Sequence, residues 1–336
     1  MTGVVGDRLL AAVDRAAELL GPTARRDVAI GPLTTYRVGG AAALAVHPKT
    51  ESDLVRVADA VRESGVAVLV IGRGSNLLVA DAGFPGLAVI LRDAFDAIEV
   101  DGTSVRAGGG TSLPVLARRA AAASVAGLEW AVGVPGTVGG AVRMNAGGHG
   151  SDIAAVLERA RVVDLRTGHA RWRGAPDLDL GYRRSALGPD EVVTAAELRG
   201  RPGDRARSEA LIAEIVRWRR VNQPGGQNAG SVFTNPPPDA AGRPPDAAGR
   251  PVDAAGRLIE RAGLKGRRVG TASVSTKHAN FIQADEGGSA DDVLALIASV
   301  RDAVRRDAGV ELRTEIRLIG FPGTYPHDVG GGGGRA

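Results

Sequence analysis

The chain has 336 residues, 24% charged and 3% aromatic, with a formal net charge of +4 and no cysteine. That length suits two or three domains with a sizeable core, and the lack of cysteine excludes disulfides and thiolate metal sites. With no apolar run of membrane-spanning length, no leader pattern and few base-stacking aromatics, the expectation is a cytoplasmic protein that neither enters membranes nor binds nucleic acid; an anionic small molecule suits its scattered arginines.

In chain order, Asp7 to Leu20 carries Leu9, Leu10, Val13, Ala17 and Leu20 at helical spacing and stops at Gly21-Pro22. Thr50 and Asp53 form a capping-box pattern for a helix running to Ser64, before Gly65. Val66–Ile71 is a β-branched run that predicts a buried strand. Gly72-Arg73-Gly74-Ser75-Asn76 follows, then Leu77-Leu78-Val79. Leu87–Leu91, Ile98–Val100 and Ser104–Ala107 predict further strands, and Thr111–Ser124 a helix with Pro114 in its first turn. Strands and turns alternate from Val156 to Leu198, and Ser208–Arg220 predicts a helix. Ser289–Asp307 predicts another, with Ser289 as cap, Asp291 and Asp292 in the first turn and Gly309 beyond its end.

Residues 133–150 hold seven glycines, together with Asn145 and His149. Glycine allows positive φ and close approach, so such a run can turn backbone N–H groups toward anionic oxygens. A flexible linker would be rich in serine or charge. Here Val134, Val138, Val142 and Met144 call for burial, which favours an ordered phosphate or cofactor loop.

From Val310 to Leu318, Glu311, Arg313, Glu315 and Arg317 alternate with apolar residues, predicting a strand with one charged face. Residues 237–257 repeat Pro-x-Asp-Ala-Ala-Gly-Arg three times. Proline in each copy forbids a continuous helix. The first two copies are expected as a protruding insert over 237–250, and the third as the start of a helix through Leu258, Ile259 and Ala262. The glycine-rich tail, 323–336, is expected to be disordered.

Several motifs together resemble the UDP-N-acetylenolpyruvoylglucosamine reductase family. Thr35-Tyr36-Arg37-Val38-Gly39-Gly40, Gly72–Leu78 and Pro135-Gly136-Thr137-Val138-Gly139-Gly140 look like its flavin-binding half. Gly181-Tyr182-Arg183-Arg184-Ser185, Gly230-Ser231-Val232-Phe233-Thr234-Asn235-Pro236 and Glu315–Gly320 look like its catalytic half. Any one motif is weak, but six in order are specific. The resemblance implies an α+β fold: an FAD-binding unit of the PCMH/vanillyl-alcohol-oxidase type with two α/β subdomains, plus a C-terminal α+β substrate domain. The subdomains are expected over 1–86, joined by 309–322, and over 87–220, with the substrate domain over 221–308.

The implied activity is reduction of UDP-N-acetylglucosamine enolpyruvate to UDP-N-acetylmuramate, a step of peptidoglycan precursor synthesis. Non-covalent FAD is the implied cofactor and NADPH the hydride-donating co-substrate, in a monomeric enzyme. The stretch 184–230 is too short for the substrate-covering loop of one subgroup, so the chain resembles the shorter one.

Hydride addition to an alkene conjugated with a carboxylate builds negative charge on that carboxylate, and a proton must then reach the neighbouring carbon. By motif match Arg183 stabilises the charge, Glu315 assists as an acid, and Ser231 donates the proton; Glu311 competes with Glu315 on the same face. Gly72, Arg73, Gly74, Ser75, Asn76, Leu77, Pro135, Gly136, Thr137, Gly139, Gly140, Asn145, Ala146 and Gly147 are the expected FAD contacts. Asn76 also suits a left-handed turn, Arg143 a solvent-facing charge, and His149 either the flavin side or an ordinary loop. Tyr182, Arg220 and Asn235 are the expected substrate contacts, although Arg220 equally suits the solvated end of a basic helix. Thr234 stands where many members have lysine. Two alternatives are another FAD oxidoreductase of the same fold, acting on an alcohol or hydroxy acid, and a non-catalytic flavin module. The Ser231 box and the Glu315 strand count against the first, and the third domain counts against the second.

Overall fold

The computed structural model describes residues 2–237 and 254–322, with side chains from Gly6 onward. The insert expected over 237–250, Pro237 apart, and the tail lie outside the described residues. The first unit opens with α1 (Thr2–Leu20), β1 (Ala24–Ala29), β2 (Ala41–Val46), α2 (Glu51–Ser64), β3 (Val68–Ile71), β4 (Leu77–Val79) and β5 (Phe84–Ile90). Thr50 and Asp53 close the capping box of α2, and Gly65 ends it in the left-handed conformation at φ 69°. One sheet has the order β1-β2-β5-β3, with β1 antiparallel to β2 and the rest parallel. Leu44, Leu87 and Val89 meet Leu54, Val57 and Val61 of α2 in its core.

The second unit contains β6 (Ile98–Asp101), β7 (Ser104–Gly108), α3 (Leu113–Ala122), α4 (Val138–Met144), β8 (Leu157–Asp164), β9 (Ala170–Gly174), β10 (Glu191–Arg199) and α5 (Arg205–Asn222). Its sheet, ordered β9-β8-β10-β7-β6, is antiparallel throughout. α5 starts earlier than its apolar spacing predicts because the Asp204 side chain accepts from the Arg207 amide and caps it. The third unit contains α6 (Ala255–Arg261), β11 (Arg268–Val269), β12 (Ala272–Val274), β13 (Ile282–Ala284) and α7 (Ala290–Ala308). Leu258 and Ile259 are buried, as the third repeat copy predicts.

Chain end and first unit then meet. The last strand is shorter than its alternation predicts: only β14 (Arg317–Ile319) forms, pairing in parallel with β4, Arg317 opposite Leu77. Residues 310–316 keep the alternating burial, with Val310, Leu312 and Ile316 inside. They lie against 232–234 instead: Phe233 bridges Thr314, and the Glu315 amide donates to the Val232 carbonyl at 2.7 Å. Both catalytic motifs are thereby carried to the mouth of the first unit.

Candidate active site

The two glycine-rich segments pack directly on each other. The Ser75 hydroxyl donates to the Pro135 carbonyl at 3.2 Å. A Cβ on Gly72 would lie 2.6 Å from the Thr137 hydroxyl, and one on Gly136 would lie 2.8 Å from that of Ser75. Gly136 has φ +123° and Gly74 φ +61°, so the turns themselves require glycine. Thr137 caps α4 by accepting from the Gly140 amide, and Asn145 ends it at φ 39°. The stretch 133–150 is therefore ordered, with Val138 and Val142 fully buried.

Between the units lies a cavity of about 980 Å³, lined by Gly72–Leu77, Pro135–Thr137, Gly139–Gly140, Ala146 and Gly147, and also by Arg183, Ser231 and Glu315. No backbone N–H from Arg73 to Asn76 has an intrachain hydrogen-bond partner among the described residues. Successive unpaired amides in a glycine turn make a concave anion site. On the same lining, Thr35 Oγ1 and Gln223 Oε1 are buried polar atoms without a partner. A long ligand with an anionic centre and polar edges, such as FAD, fits these residues.

Three distant segments supply the reactive corner. Arg183 Nε lies 2.6 Å from Glu315 Oε1. The N–H is not aligned on that oxygen, so the contact is an ion pair and the Nε hydrogen remains unmatched. Arg183 Nη2 donates to the Gly147 carbonyl at 3.3 Å, tying the corner to the glycine segment. The backbone of Arg183 is left-handed at φ 57°, uncommon for a side-chain-bearing residue and a form of strain met at functional sites. Burial pushes the Glu315 carboxyl up from its ordinary range, against the opposing pull of Arg183. The Ser231 hydroxyl has no hydrogen-bond partner among the described residues and follows Gly230, at φ +76°.

Several other expected contacts fall elsewhere. Asn145 is buried and its amide is occupied: the Ala154 amide donates to its Oδ1 at 2.8 Å, and its Nδ2 donates to Asp152 and, at 3.0 Å, to the Gly181 carbonyl. It holds the turn that presents Arg183 and does not line the cavity. Asn235 is spent on the Ala255 amide at the start of α6, 3.0 Å away. Tyr182 is 61% exposed and stacks beneath Arg183, with the guanidinium 5.3 Å from the ring centroid. Arg220 is exposed and off the lining, while its neighbour Arg219 lines the cavity and donates to the Gly133 carbonyl. A helix turns about 100° per residue, so adjacent arginines face apart. Asn76 has no positive φ; its Nδ2 donates to the Glu315 carbonyl at 3.1 Å, and its own carbonyl accepts from the Arg317 amide. His149 packs edge-on against Trp218, at 5.1 Å, off the lining.

Arg143, Arg219, Arg313 and Arg317 also line the cavity. Arg143 is held by the carbonyls of Leu187 and Gly188, and burial lowers its pKa, with the charge of Arg317 adding to the effect. A period-two reading already sets Arg317 on the face of Glu315, and Ile212, Ile215 and Arg219 share one helical stripe. Those signals were available in the sequence.

Residues 221–319 match the family described as "UDP-N-acetylenolpyruvoylglucosamine reductase, C-terminal domain", and residues 42–173 match "FAD binding domain". The UDP-N-acetylenolpyruvoylglucosamine reductase of Rubrobacter xylanophilus is 40% identical over 311 residues, which cover 92% of this chain and 99% of that protein. The Heliobacterium modesticaldum protein of the same name is 42% identical over 303 residues, 89% of this chain and 91% of its own length. Among solved structures, the UDP-N-acetylenolpyruvylglucosamine reductase of Thermus caldophilus superimposes with a TM-score of 0.74 at 34% identity, over 88% of this chain and 99% of that one.

Proposed function

The chain belongs to the UDP-N-acetylenolpyruvoylglucosamine reductase family, and from that premise we propose how its own residues divide the work. It is an FAD-dependent oxidoreductase that uses NADPH to reduce UDP-N-acetylglucosamine enolpyruvate to UDP-N-acetylmuramate in peptidoglycan synthesis. Bound FAD would supply the relay of hydride from NADPH to the substrate alkene. The unpaired N–H groups of Arg73–Asn76 would hold its diphosphate, with those of Gly136 and Thr137 from the second turn, where Val138, Gly139 and Gly140 already donate within the protein.

Arg183 grips the substrate carboxylate. A guanidinium matches carboxylate oxygens, and Arg183 Nη1 has no hydrogen-bond partner among the described residues, leaving donor capacity for them. As hydride arrives at the carbon β to the carboxylate, negative charge spreads from the α-carbon onto the carboxylate oxygens. Arg183 meets it there, and Glu315, held toward its neutral form by burial, limits the opposing charge. Ser231 delivers the proton to the α-carbon, completing the saturated ether. The observation that carries these assignments is the convergence of Arg183, Ser231 and Glu315 on one cavity with both glycine turns.

The polypeptide acts as a cytoplasmic monomer in three parts, 1–86 with 309–322, 87–220 and 221–308. No described helix is long and apolar enough to cross a membrane. The decisive experiment mixes photoreduced protein anaerobically with UDP-N-acetylglucosamine enolpyruvate. Rapid return of the oxidised flavin spectrum is expected in the wild type and a large slowing in Ser231→Ala, with reduction by NADPH preserved. If Ser231→Ala instead loses only reduction by NADPH, the proton-donor role is wrong.

A further inference from the structure

The cavity contains more positive charge than the reactive corner uses. Among the described residues its only lining carboxylates are Glu191 and Glu315. Both are engaged: Glu191 with Arg173 at 3.0 Å, Glu315 with Arg183 at 2.6 Å. Arg143 and Arg317 make no ion pair among the described residues. Arg143 Nη1 reaches only the Leu187 and Gly188 carbonyls, and Arg317 Nη2 only the thioether of Met144, at 3.6 Å. The two guanidinium groups are near enough that the charge of Arg317 acts on Arg143. Arg143 feels Glu191 and Asp190 only at longer range, and partly buried cations neutralised so incompletely favour an anion from a ligand.

Position narrows the choice of anion. Arg317 is two residues beyond Glu315 in extended chain, about 7 Å along it. Arg143 lies at the far end of α4 from Thr137, about 10 Å from the diphosphate turns. Arg317 links the two regions directly, because its amide donates to the Asn76 carbonyl at the end of the first glycine turn and Glu315 stands two residues before it. Arg143, which feels the Arg317 charge, shares that lining, along which the ring of a dinucleotide held at the turns would reach the corner. Hydride uptake brings the ring two electrons and one proton, and leaves it one negative charge if no second proton follows.

We propose that Arg143 and Arg317 form a second cationic locus that takes up the negative charge of the reduced flavin ring and so raises the reduction potential of bound FAD. This rests on the FAD assignment above. A cation that favours the reduced over the oxidised form raises the potential by linkage, about 30 mV per tenfold preference for a two-electron couple. Two quantities are to be measured on the holoprotein: the Kd of oxidised FAD, by fluorescence quenching, and the midpoint potential, by dye-coupled photoreduction. Arg317→Met and Arg143→Met are each expected to lose about tenfold of that preference, with the Kd of oxidised FAD little changed, and Arg317→Lys to retain most of it. Weaker binding of oxidised FAD with an unmoved potential would assign the pair to the diphosphate and overturn the proposal, as would no change in either quantity. Should the variants fail to fold, the wild type still decides: its reduced flavin should keep the anionic absorbance spectrum below neutral pH, and a neutral spectrum there overturns the idea. Folded protein that binds no FAD would sink the family-based assignment itself, whereas FAD bound at an unmoved potential sinks only this one.

Discussion

The glycine turns and the reactive corner share one cavity but are built on opposite plans. The turns are local in sequence and work through backbone: glycines at positive φ, successive free amides, and two loops in direct contact. The corner is assembled from three segments far apart in sequence and works through side chains. Two of them depend on supporting contacts to their segments: Arg183 on Asn145 through the Gly181 turn, Glu315 on Asn76 and Val232 through its backbone. A backbone site tolerates side-chain change except where glycine is required. A side-chain site fails when any supporting contact loosens. The two should therefore separate under mutation, binding from chemistry.

The widest separation is expected at the corner. Arg183→Ala and Ser231→Ala should slow substrate-driven flavin reoxidation by roughly 10²- to 10⁴-fold while the protein stays yellow. Stopped-flow absorbance measures the rate and the flavin content of purified protein checks binding. Parallel loss of FAD would break the comparison. Because burial holds the Glu315 carboxyl up, its protonated form persists above the usual carboxylate range. Reoxidation should accordingly decline as pH rises through that shifted pKa, and Glu315→Gln should flatten this limb while lowering the rate.

Next in size is the converse. Gly136→Ala places a Cβ at φ +123°, close to the Ser75 hydroxyl. Strain of this kind amounts to about 1–3 kcal/mol, so the FAD Kd should rise roughly tenfold or more. With saturating FAD the reoxidation rate should recover; if it does not, cradle and corner are not separable. Asn145→Ala should behave as a corner mutation despite its place in the glycine segment, slowing reoxidation about tenfold with FAD retained.

That last expectation shows where the sequence was legible. Local signals carried through: the capping box of α2, the Ser289 cap and Gly309 end of α7, and the ordered glycine run. Motif resemblance located Arg183, Ser231 and Glu315 in one cavity. What did not carry through was which polar side chains remain available. Asn145 sits in the glycine run and Asn235 inside a matching motif, yet their amides are consumed by Gly181, Ala154 and Ala255. Only tertiary contacts decide that. Arg220 failed for a narrower reason, the phase of α5: the buried Ile212 and Ile215 point Arg219 inward instead. Arg143 gave no signal, because its burial depends on the Leu187–Gly188 carbonyls more than forty residues on.

The smallest expected effect tests whether cavity and scaffold are separable too. Asp81, in the turn after β4, reaches the start of α7 in the third unit. It accepts from the Ser289 hydroxyl at 2.6 Å and from the amides of Ala290 at 3.0 Å and Asp291 at 3.1 Å. Burial pushes its carboxyl up, but these hydrogen bonds outweigh that and hold it below its usual value. A folded-state pKa below the unfolded one stabilises at pH above the unfolded value, and that contribution is lost as pH falls through the folded value. Asp81→Ala removes a helix cap worth about 1 kcal/mol, so Tm should fall by roughly 2–4 °C near neutral pH. The deficit should shrink toward zero in acid, as measured by scanning calorimetry of variant and wild type across pH. A deficit independent of pH would mean that Asp81 acts through packing rather than through its charge. A fall in reoxidation rate beyond twofold would mean that the third unit's seat on the first positions Ser231, making the corner's support longer than the contacts around Arg183 and Glu315 alone.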